Sequence, residues 1–463
     1  MTRYHARWIV PVSAAPIAHG TLLERAGRIE WVGARDEAPP DTQDDDVDLG
    51  DAILLPGLVN AHCHLELTAM RGFLDGLSFR EWILRLTSAR RAALDAATLL
   101  DAARLGVEEG LRVGVTTFAD TGDSGTGFDA MLERGVRGIC YREVFGPDPA
   151  QCEHAVAELR ERYARMRERE TPLVRAGLSP HAPYTVSDPL YRATAALARE
   201  LAAPVAVHIA ESELETELVA RGAGAFADGL RKRGIAVAPR ARSPIALLDV
   251  LGVLAVDPLL IHCVRVDAAD IRAIADRRCA VAHCPASNAR LAHGVAPLAE
   301  LLAAGVDVGL GSDSVASNDR MDLLDEARQA LLFATARARP SDHLTSAQAL
   351  ALATLGGARA LRLDGEIGSL QVGKAADLAA FPLAALGRGP THDPIAAAVL
   401  ALAGTPASFV AVAGRPLVRD GRVLDADSSL AHRVQESADR LQAWLATPDG
   451  ARATTNPVPT TGR

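Results

Sequence analysis

Two histidines, His62 and His64, stand two positions apart at the end of the apolar segment 56–61. The segment is typical of a β-strand, and side chains at positions i and i+2 of a strand point the same way. Both imidazoles can therefore bind one metal ion. Because a histidine pair on one strand face is more often part of a packed core, a metal site requires further ligands elsewhere in the chain.

Three other apolar runs also end in a polar residue, and these residues are His208, His262 and Asp313. Glu211 follows the first of them by three positions. Such runs are typical of buried parallel strands whose C-terminal ends each carry one polar group. Polar residues of this kind, on several strands, are what a shared site would need.

Counting these strands predicts the architecture. The predicted strands are 56–66, 114–120, 136–145, 173–180, 204–210, 258–264, 279–284 and 307–312. Helical segments with apolar residues at helical spacing lie between them, at 89–111, 150–169, 188–201, 268–277 and 321–334. Eight β-then-α units over roughly 300 residues predict an α/β fold, a TIM-like (β/α)8 barrel, whose reactive groups gather at the C-terminal strand ends.

The segments outside the barrel have a different pattern. Residues 1–55 and 366–425 contain short alternating segments with turn signals, and they predict one small composite β-sandwich built from both chain ends beside a barrel at 56–365. Residues 426–463 complete the chain as a C-terminal helix and a tail.

The C-terminal helix has one apolar face, formed by Leu430, Val434, Leu441 and Leu445. We expect this face to pack on its own subunit, and a homodimer through it is the secondary alternative. Residues 454–463 have the composition of a disordered tail.

Composition limits the function classes. A net charge of -9 without a basic stripe argues against nucleic-acid binding, and a chain of 463 residues with 49% hydrophobic residues can bury a large core. The first eight residues lack the apolar region of a signal peptide, and no apolar run reaches membrane-spanning length. We therefore expect a cytoplasmic protein with a small-molecule substrate and no membrane partner. The six cysteines do not suggest a disulfide framework.

Lysine is nearly absent. The chain has only Lys232 and Lys374, and neither lies at the end of a predicted barrel strand. The site therefore cannot use a lysine-derived ligand that bridges two metals, nor a Schiff base. We expect one metal ion per chain.

The chain resembles the amidohydrolase superfamily, in particular its deaminase branch with a single metal. The resemblance covers nearly the whole length and is carried by PGLVNAHCH at 56–64, SPHAPYT at 179–185, HIAE at 208–211, HCPASN at 283–288, GSDS at 311–314 and the segment 368–378. Together, in this order and spacing, these motifs are highly specific. Within the branch, the chain is most similar to aminodeoxyfutalosine deaminases and S-adenosylhomocysteine deaminase-like proteins.

The resemblance implies a role for each matching residue. The implied metal ligands are His62, His64, His208 and Asp313. Three imidazoles and one carboxylate suit one divalent transition metal, with zinc expected and iron or manganese as alternatives. Glu211 would protonate the ring nitrogen, Asp313 would pass the water proton to the departing ammonia, and His262 would stabilise the tetrahedral centre.

Each of these residues also has a structural interpretation. Asp313 could cap a helix, Glu211 could begin the solvated acidic run 211–217, and His262 could be a satisfied core histidine. For any single residue the structural interpretation is preferable. Their joint occurrence at the ends of strands one, five, six and eight favours the active site.

Four further residues are candidates for substrate binding. His181 resembles a family position that contacts substrate, although it could equally brace its loop between two prolines. Glu66 continues the inward parity of the two histidines, as in the aminodeoxyfutalosine deaminases of the alternative menaquinone route. Trp82 could stack on a base or cap the core. Arg142 could bind a substrate carboxylate or pair with Glu143.

The predicted function is hydrolytic deamination of a purine-type ring, with 6-amino-6-deoxyfutalosine or a related adenine nucleoside as substrate. Segment 83–91 lacks a glutamate that resembles the ribose-binding one of the homocysteine-nucleoside deaminases, and the insertion 213–250 is expected to lid the pocket. The alternatives are a guanine or pterin deaminase, or a chlorotriazine or cyclic amide hydrolase. A non-catalytic metal-binding scaffold is disfavoured because Glu211 and His262 would then have no reason to accompany the ligands.

Overall fold

The computed structural model describes residues 1–40, 45–337, 343–383 and 390–452, so the predicted tail at 454–463 lies outside the described residues. The strands are β1 (Thr2–Ile9), β2 (Ile17–Arg25), β3 (Arg28–Ala34), β4 (Asp45–Asp48), β5 (Ala52–Pro56), β6 (Leu58–Cys63), β7 (Val115–Gly122), β8 (Arg137–Val144), β9 (Val174–Pro180), β10 (Ala206–Ile209), β11 (Leu259–His262), β12 (Ala280–His283), β13 (Val308–Leu310), β14 (Leu378–Pro382), β15 (Phe409–Val412), β16 (Arg415–Arg419) and β17 (Arg422–Val423).

The helices lie mainly between the strands of the central region. They are α1 (Phe79–Ala93), α2 (Ala96–Arg112), α3 (Thr126–Arg134), α4 (Cys152–Arg167), α5 (Asp188–Leu201), α6 (Glu213–Arg221), α7 (Gly224–Lys232), α8 (Pro244–Val250), α9 (Ala268–Asp276), α10 (Pro285–Arg290), α11 (Leu298–Ala303), α12 (Val315–Asn318), α13 (Leu323–Arg337), α14 (Ser346–Ala351), α15 (Gly357–Ala360), α16 (Pro394–Ala401), α17 (Leu430–Leu445) and α18 (Pro448–Arg452). In the described part of the chain, none of them combines the length and the apolar character needed to cross a membrane.

The eight predicted barrel strands are confirmed as β6 to β13. They pair in parallel within two groups, β6 to β9 and β10 to β13. Single bridges, Leu178 to Val205 and Cys63 to Asp313, link the groups on both sides. The fold is therefore the predicted TIM-like barrel, and the C-terminal ends of its strands face one side.

The link between the first and last barrel strands depends on small and polar residues. The Asn60 amide donates to Ser312 Oγ at 2.8 Å, and its carbonyl oxygen accepts from the Ser312 backbone N–H at 3.0 Å. Gly311 lies so close to β6 that a Cβ atom there would come within 2.8 Å of His62 Cβ. This packing brings Asp313 beside the histidines of the first strand.

The predicted helix 89–111 is wrong in its extent, because two helices occupy this region. α1 ends before Leu94, and the Asp95 side chain accepts a hydrogen bond from the Thr98 backbone N–H at 2.9 Å, which caps α2. The break separates two packing surfaces. α2 packs on the barrel, whereas α1 buries Phe79 and Trp82 in a separate cluster over the strand ends.

Both chain ends contribute strands to one sheet, where the sequence predicted a composite β-sandwich. Nine strands form this sheet, in which β5 pairs with β1 on one side and with β14 on the other. Arg137, at the start of β8, donates to Asp377 at 2.8 Å and to Glu366 at 3.0 Å, and it is only 2% exposed. This buried ion pair fixes the small domain to the N-terminal end of a barrel strand.

The C-terminal helix α17 packs on its own chain. Leu430, Val434 and Leu441 are buried in the same cluster as Phe79 and Trp82 of α1. The guanidinium of Arg433 on α17 donates to both carboxylate oxygens of Asp101 on α2, at 2.7 and 3.0 Å. The helix thereby braces α1 and α2 from outside.

Candidate active site

The four implied metal ligands converge at the C-terminal ends of β6, β10 and β13. His62 Nε2 and His64 Nε2 lie 3.2 and 3.5 Å from Asp313 Oδ1, and His64 Nε2 lies 3.3 Å from His208 Nε2. Ligands around a tetrahedral zinc ion with bonds of about 2.0–2.1 Å are separated by about 3.3 Å. The donor atoms of His62, His64 and Asp313 are thus close enough together to hold one such ion, and His208 adjoins them beside His64.

The charge states of these donors also suit a divalent metal. Burial lowers the pKa of His62 to about 4 and that of His208 well below its usual value. Burial alone would raise the pKa of Asp313, but its hydrogen bond to His62 and the charges of His262 and His64 hold it well below its usual range. Neutral imidazoles and an ionised carboxylate are the forms that bind zinc or iron. The residues present therefore fit the metal.

The second oxygen of Asp313 is held by two serines. Asp313 Oδ2 accepts hydrogen bonds from Ser287 Oγ at 2.5 Å and from Ser317 Oγ at 3.1 Å. These bonds fix the carboxylate so that Oδ1 faces the histidines. The serines lie on α10 and α12, and the sequence analysis did not identify them because neither follows a strand directly.

Glu211 faces two further histidines. Its Oε1 atom lies 3.6 Å from His262 Nε2 and 3.2 Å from His293 Nε2. Although burial raises the pKa of the Glu211 carboxyl, the two imidazoles outweigh burial and hold the pKa below its usual value. The group is therefore ionised at neutral pH and can accept a proton before it delivers one. His293 was not identified from the sequence.

The backbone at Glu211 is fixed by a second carboxylate. Glu215 accepts hydrogen bonds from the backbone N–H groups of Ala210 and Glu211, at 2.7 and 2.9 Å. It is fully buried, and burial raises its pKa to about 8. Glu215 therefore does not belong to a solvated acidic run, as the sequence suggested for segment 211–217. It shapes the turn that presents Glu211.

His262 reaches the site through an unusual backbone conformation. Leu259 and Ile261 pack in the barrel interior, so regular alternation would turn His262 outward. The φ angle of +77° at His262 lies in the left-handed region and ends this alternation. His262 Nδ1 lies 3.0 Å from Asn288 Oδ1, which can accept its proton and leave Nε2 facing Glu211.

A cavity of about 280 Å³ opens from this site. His181, Trp82 and Glu66, three of the candidates for substrate binding, line it. The Trp82 ring stacks on Phe79 with centroids 6.3 Å apart, and His181 Nδ1 lies 2.8 Å from Thr185 Oγ1. His181 thus has both predicted features, a bond within its own loop and a position on the cavity wall.

Glu66 is placed differently from the expectation. The strand ends at Cys63 and a 3-10 turn spans Leu65–Met70, so Glu66 does not continue the strand alternation. Its carboxylate binds Arg90 at 2.6 Å and the Ser124 hydroxyl. It contributes to the cavity wall as part of this ion pair.

The prediction for Arg142 needs correction. Arg142 is 6% exposed and does not line the cavity, whereas its neighbour Glu143 does. The reason is strand alternation. Ile139 and Tyr141 pack inside the barrel with Glu143 on the same face of β8, so Arg142 points outward among the helices. It does not contact a substrate in the cavity.

Glu143 is a cavity residue that the sequence analysis did not select. Its Oε1 atom lies 3.9 Å from both His181 Nε2 and His208 Nδ1. Burial, together with the Asp123 and Glu66 charges, raises its pKa well above the usual value. At these distances Glu143 lies beside both rings without a hydrogen bond to either.

The predicted insertion 213–250 forms part of the cavity wall. Phe226 and Leu230 of α7 line the cavity, and the Phe226 ring stacks on Tyr184 with centroids 4.2 Å apart. Phe79 of α1 meets Phe226 edge-on at 6.1 Å. α1 and α7 therefore form an aromatic outer wall opposite the strand ends.

Comparisons with known proteins give a consistent picture. The chain matches the model of the amidohydrolase family over residues 53–415. It is 34% identical to 5-methylthioadenosine/S-adenosylhomocysteine deaminase of Moorella thermoacetica, over 91% of this chain and 94% of that protein. It is 30% identical to 5'-deoxyadenosine deaminase of Methanopyrus kandleri, over 91% and 95%. The zinc-bound structure of an adenosine deaminase from Xanthomonas campestris superposes with a TM-score of 0.85 at 29% identity, over 96% and 98%.

Proposed function

This chain belongs to the amidohydrolase family, and from that premise we propose that it is a metal-dependent deaminase of adenine nucleosides. It is a hydrolase of C–N bonds in cyclic amidines. The observation that carries the proposal is the position of Glu211, ionised and 3.6 Å from His262, beside a cluster of two histidines and Asp313 that could hold one divalent ion. Zinc is the proposed ion.

Each residue of the site has a separate role in the proposed reaction. A bound divalent metal supplies the Lewis acidity that makes water a nucleophile near neutral pH. Glu211, which is ionised before the reaction, accepts one proton of the attacking water and delivers it to the ring nitrogen next to the carbon that is attacked, and His262 stabilises the charge that develops there. Asp313 accepts the second proton of that water and transfers it to the amino group. The C–N bond then breaks, and ammonia leaves as the ring becomes an oxo form.

The finer proposal is that the substrate is 6-amino-6-deoxyfutalosine, which would place the enzyme in the alternative menaquinone route. The similarity of segment 62–67 to aminodeoxyfutalosine deaminases supports this substrate. The relatives named above act on adenosines altered at the 5' position, which supports the wider class. Glu66 supports it less than the sequence suggested, because its carboxylate is already paired with Arg90.

The test is a screen of ammonia release by the metal-loaded enzyme. The compounds are 6-amino-6-deoxyfutalosine, 5'-methylthioadenosine, S-adenosylhomocysteine and adenosine, with guanine, a pterin and a chlorotriazine as the alternatives. We expect ammonia and the adenine-to-hypoxanthine absorbance change with adenine nucleosides. Turnover of guanine or the pterin alone would refute the substrate class and leave the deaminase chemistry intact. Chloride release without ammonia would refute the deaminase assignment.

A further inference from the structure

Three arginines on the cavity wall, Arg80, Arg91 and Arg233, have no ion-pair partner among the described residues. Arg91 lies near the end of α1 and Arg233 directly follows α7, and both line the cavity. Their neighbour Arg90 differs, because it is paired with Glu66 and Asp123. Glu66 and Asp123 are therefore already engaged by Arg90, and Arg91 and Arg233 remain as further cations near this end of α1.

Arg91 and Arg233 belong to separate elements, and their positive charges repel each other. Burial lowers the pKa of Arg91, and the Arg90 and Arg233 cations lower it further, while Asp123 opposes them. Like charges gathered at a cavity repel one another, and an anion placed between them would remove this repulsion. A guanidinium binds a carboxylate or a phosphate through two parallel hydrogen bonds.

The position of the pair relative to the reacting centre defines the part of the substrate that it meets. Phe79, at the start of α1, contacts His293, and His293 contacts Glu211. This end of the helix therefore lies near the place proposed for the adenine ring. Arg91 is twelve residues further along, about 18 Å at 1.5 Å per residue. A group bound there lies at the opposite end of α1 from the contact between Phe79 and His293.

We infer that Arg91 and Arg233 form an anion subsite for a carboxylate or phosphate on the 5' substituent of the substrate, an inference that rests on the proposed deamination of adenine nucleosides. The subsite replaces the role that the sequence suggested for Arg142. It gives a role to two of the three unpaired arginines on the cavity wall.

The test compares substrates that differ in one charge. The first pair is 6-amino-6-deoxyfutalosine and its carboxamide, and the second is adenosine 5'-monophosphate and adenosine. We expect the wild-type enzyme to favour the anionic member of one pair by about 10- to 100-fold in kcat/KM, as a charge-assisted hydrogen bond contributes. A preference in the first pair identifies a carboxylate subsite, and one in the second identifies a phosphate subsite.

The variants are Arg91→Ala, Arg233→Ala and the double substitution, with Lys232→Ala as the matched control. Lys232 is exposed, adjacent to Arg233 and absent from the cavity wall. Its substitution therefore removes one positive charge without changing the subsite. We expect each arginine variant to reduce the preference, the double variant to abolish it and the control to retain it.

A binding measurement separates this inference from the proposed function. The inosine-type product and its carboxamide are titrated calorimetrically into the wild-type and double-variant proteins, with inosine 5'-monophosphate and inosine as the phosphate pair. Tighter binding of the anion, lost in the double variant, supports the subsite without turnover. Equal preferences in the wild-type, double-variant and Lys232→Ala enzymes would overturn the inference while deamination stands. No turnover of any adenine nucleoside would overturn the proposed function.

Discussion

The two walls of the cavity are built on different principles. On the barrel wall, hydrogen bonds fix two of the functional groups: two serines bind Asp313, and Asn288 binds His262. On the outer wall, α1 and α7 present stacked rings, with arginines that are largely unpaired. The comparison indicates that the barrel determines the reaction, whereas the outer helices determine which molecule undergoes it.

The largest effect should come from removing a ligand on the barrel wall. His208→Ala or Asp313→Ala should lose both the metal and nearly all turnover, because three donors hold a divalent ion far less tightly than four. Elemental analysis of protein purified without added metal should give about one ion per wild-type chain. The control is His432→Ala on α17, whose side chain is 78% exposed. A reproducible content of two ions would refute the single-metal site.

Glu211→Gln should separate the chemistry from metal binding. The amide keeps the shape but has no transferable proton, so turnover should fall by about 10²- to 10⁴-fold with the metal retained. Glu213→Gln is the matched control, because Glu213 lies in the same segment with a side chain 65% exposed. Near-normal turnover in the Glu211 variant would show that the reaction does not require the Glu211 carboxylate.

His293→Asn should have a smaller effect that depends on pH. Because His293 helps to hold the pKa of Glu211 down, its loss should raise that pKa and move the acid limb of the kcat/KM profile to higher pH. We expect a rate loss of about 10-fold at neutral pH, as for one lost hydrogen bond to a charged group. Metal content should not change. The exposed His154→Asn variant is the control, and an unshifted acid limb would contradict the positioning role of His293.

Trp82→Leu should test the outer wall alone. The loss of an aromatic contact worth about 0.5–1.5 kcal/mol should raise KM by about 2- to 10-fold and leave kcat and metal content unchanged. Trp444→Leu on α17, which lies outside the cavity wall, is the control. A fall in kcat at unchanged KM would mean that the outer wall also takes part in the reaction.

The sequence could predict that the proposed ligands lie near one another because parallel strands bring their ends to one place. His62, His64, His208 and Asp313 each follow an apolar run, so the fold alone brings them together. The groups that fix them could not be predicted in this way. Ser287 is 26 residues from Asp313 and Asn288 is 26 residues from His262, and both occupy helical positions without a strand signal.

Arg142 and His262 show where the alternation of side chains along a strand predicts their direction correctly and where it does not. For Arg142, alternation with Glu143 correctly excludes it from the cavity, and the sequence prediction did not apply that rule. For His262, the same rule points the wrong way, because the left-handed φ angle at the strand end turns the residue inward. Backbone conformations of this kind depend on tertiary contacts, so local sequence patterns do not reveal them.

The pairing of β5 with β14 has a consequence for synthesis on the ribosome. The nascent chain completes β1 to β5 first, but the partner of the other edge of β5 begins only at Leu378, after all eight barrel strands. Domains generally fold from the N-terminus during translation, and an unpaired strand edge is a template for association with other chains. Until Leu378 to Pro382 emerge from the ribosome, that edge of β5 has no partner strand. We therefore expect ribosome-bound intermediates of this protein to bind chaperones.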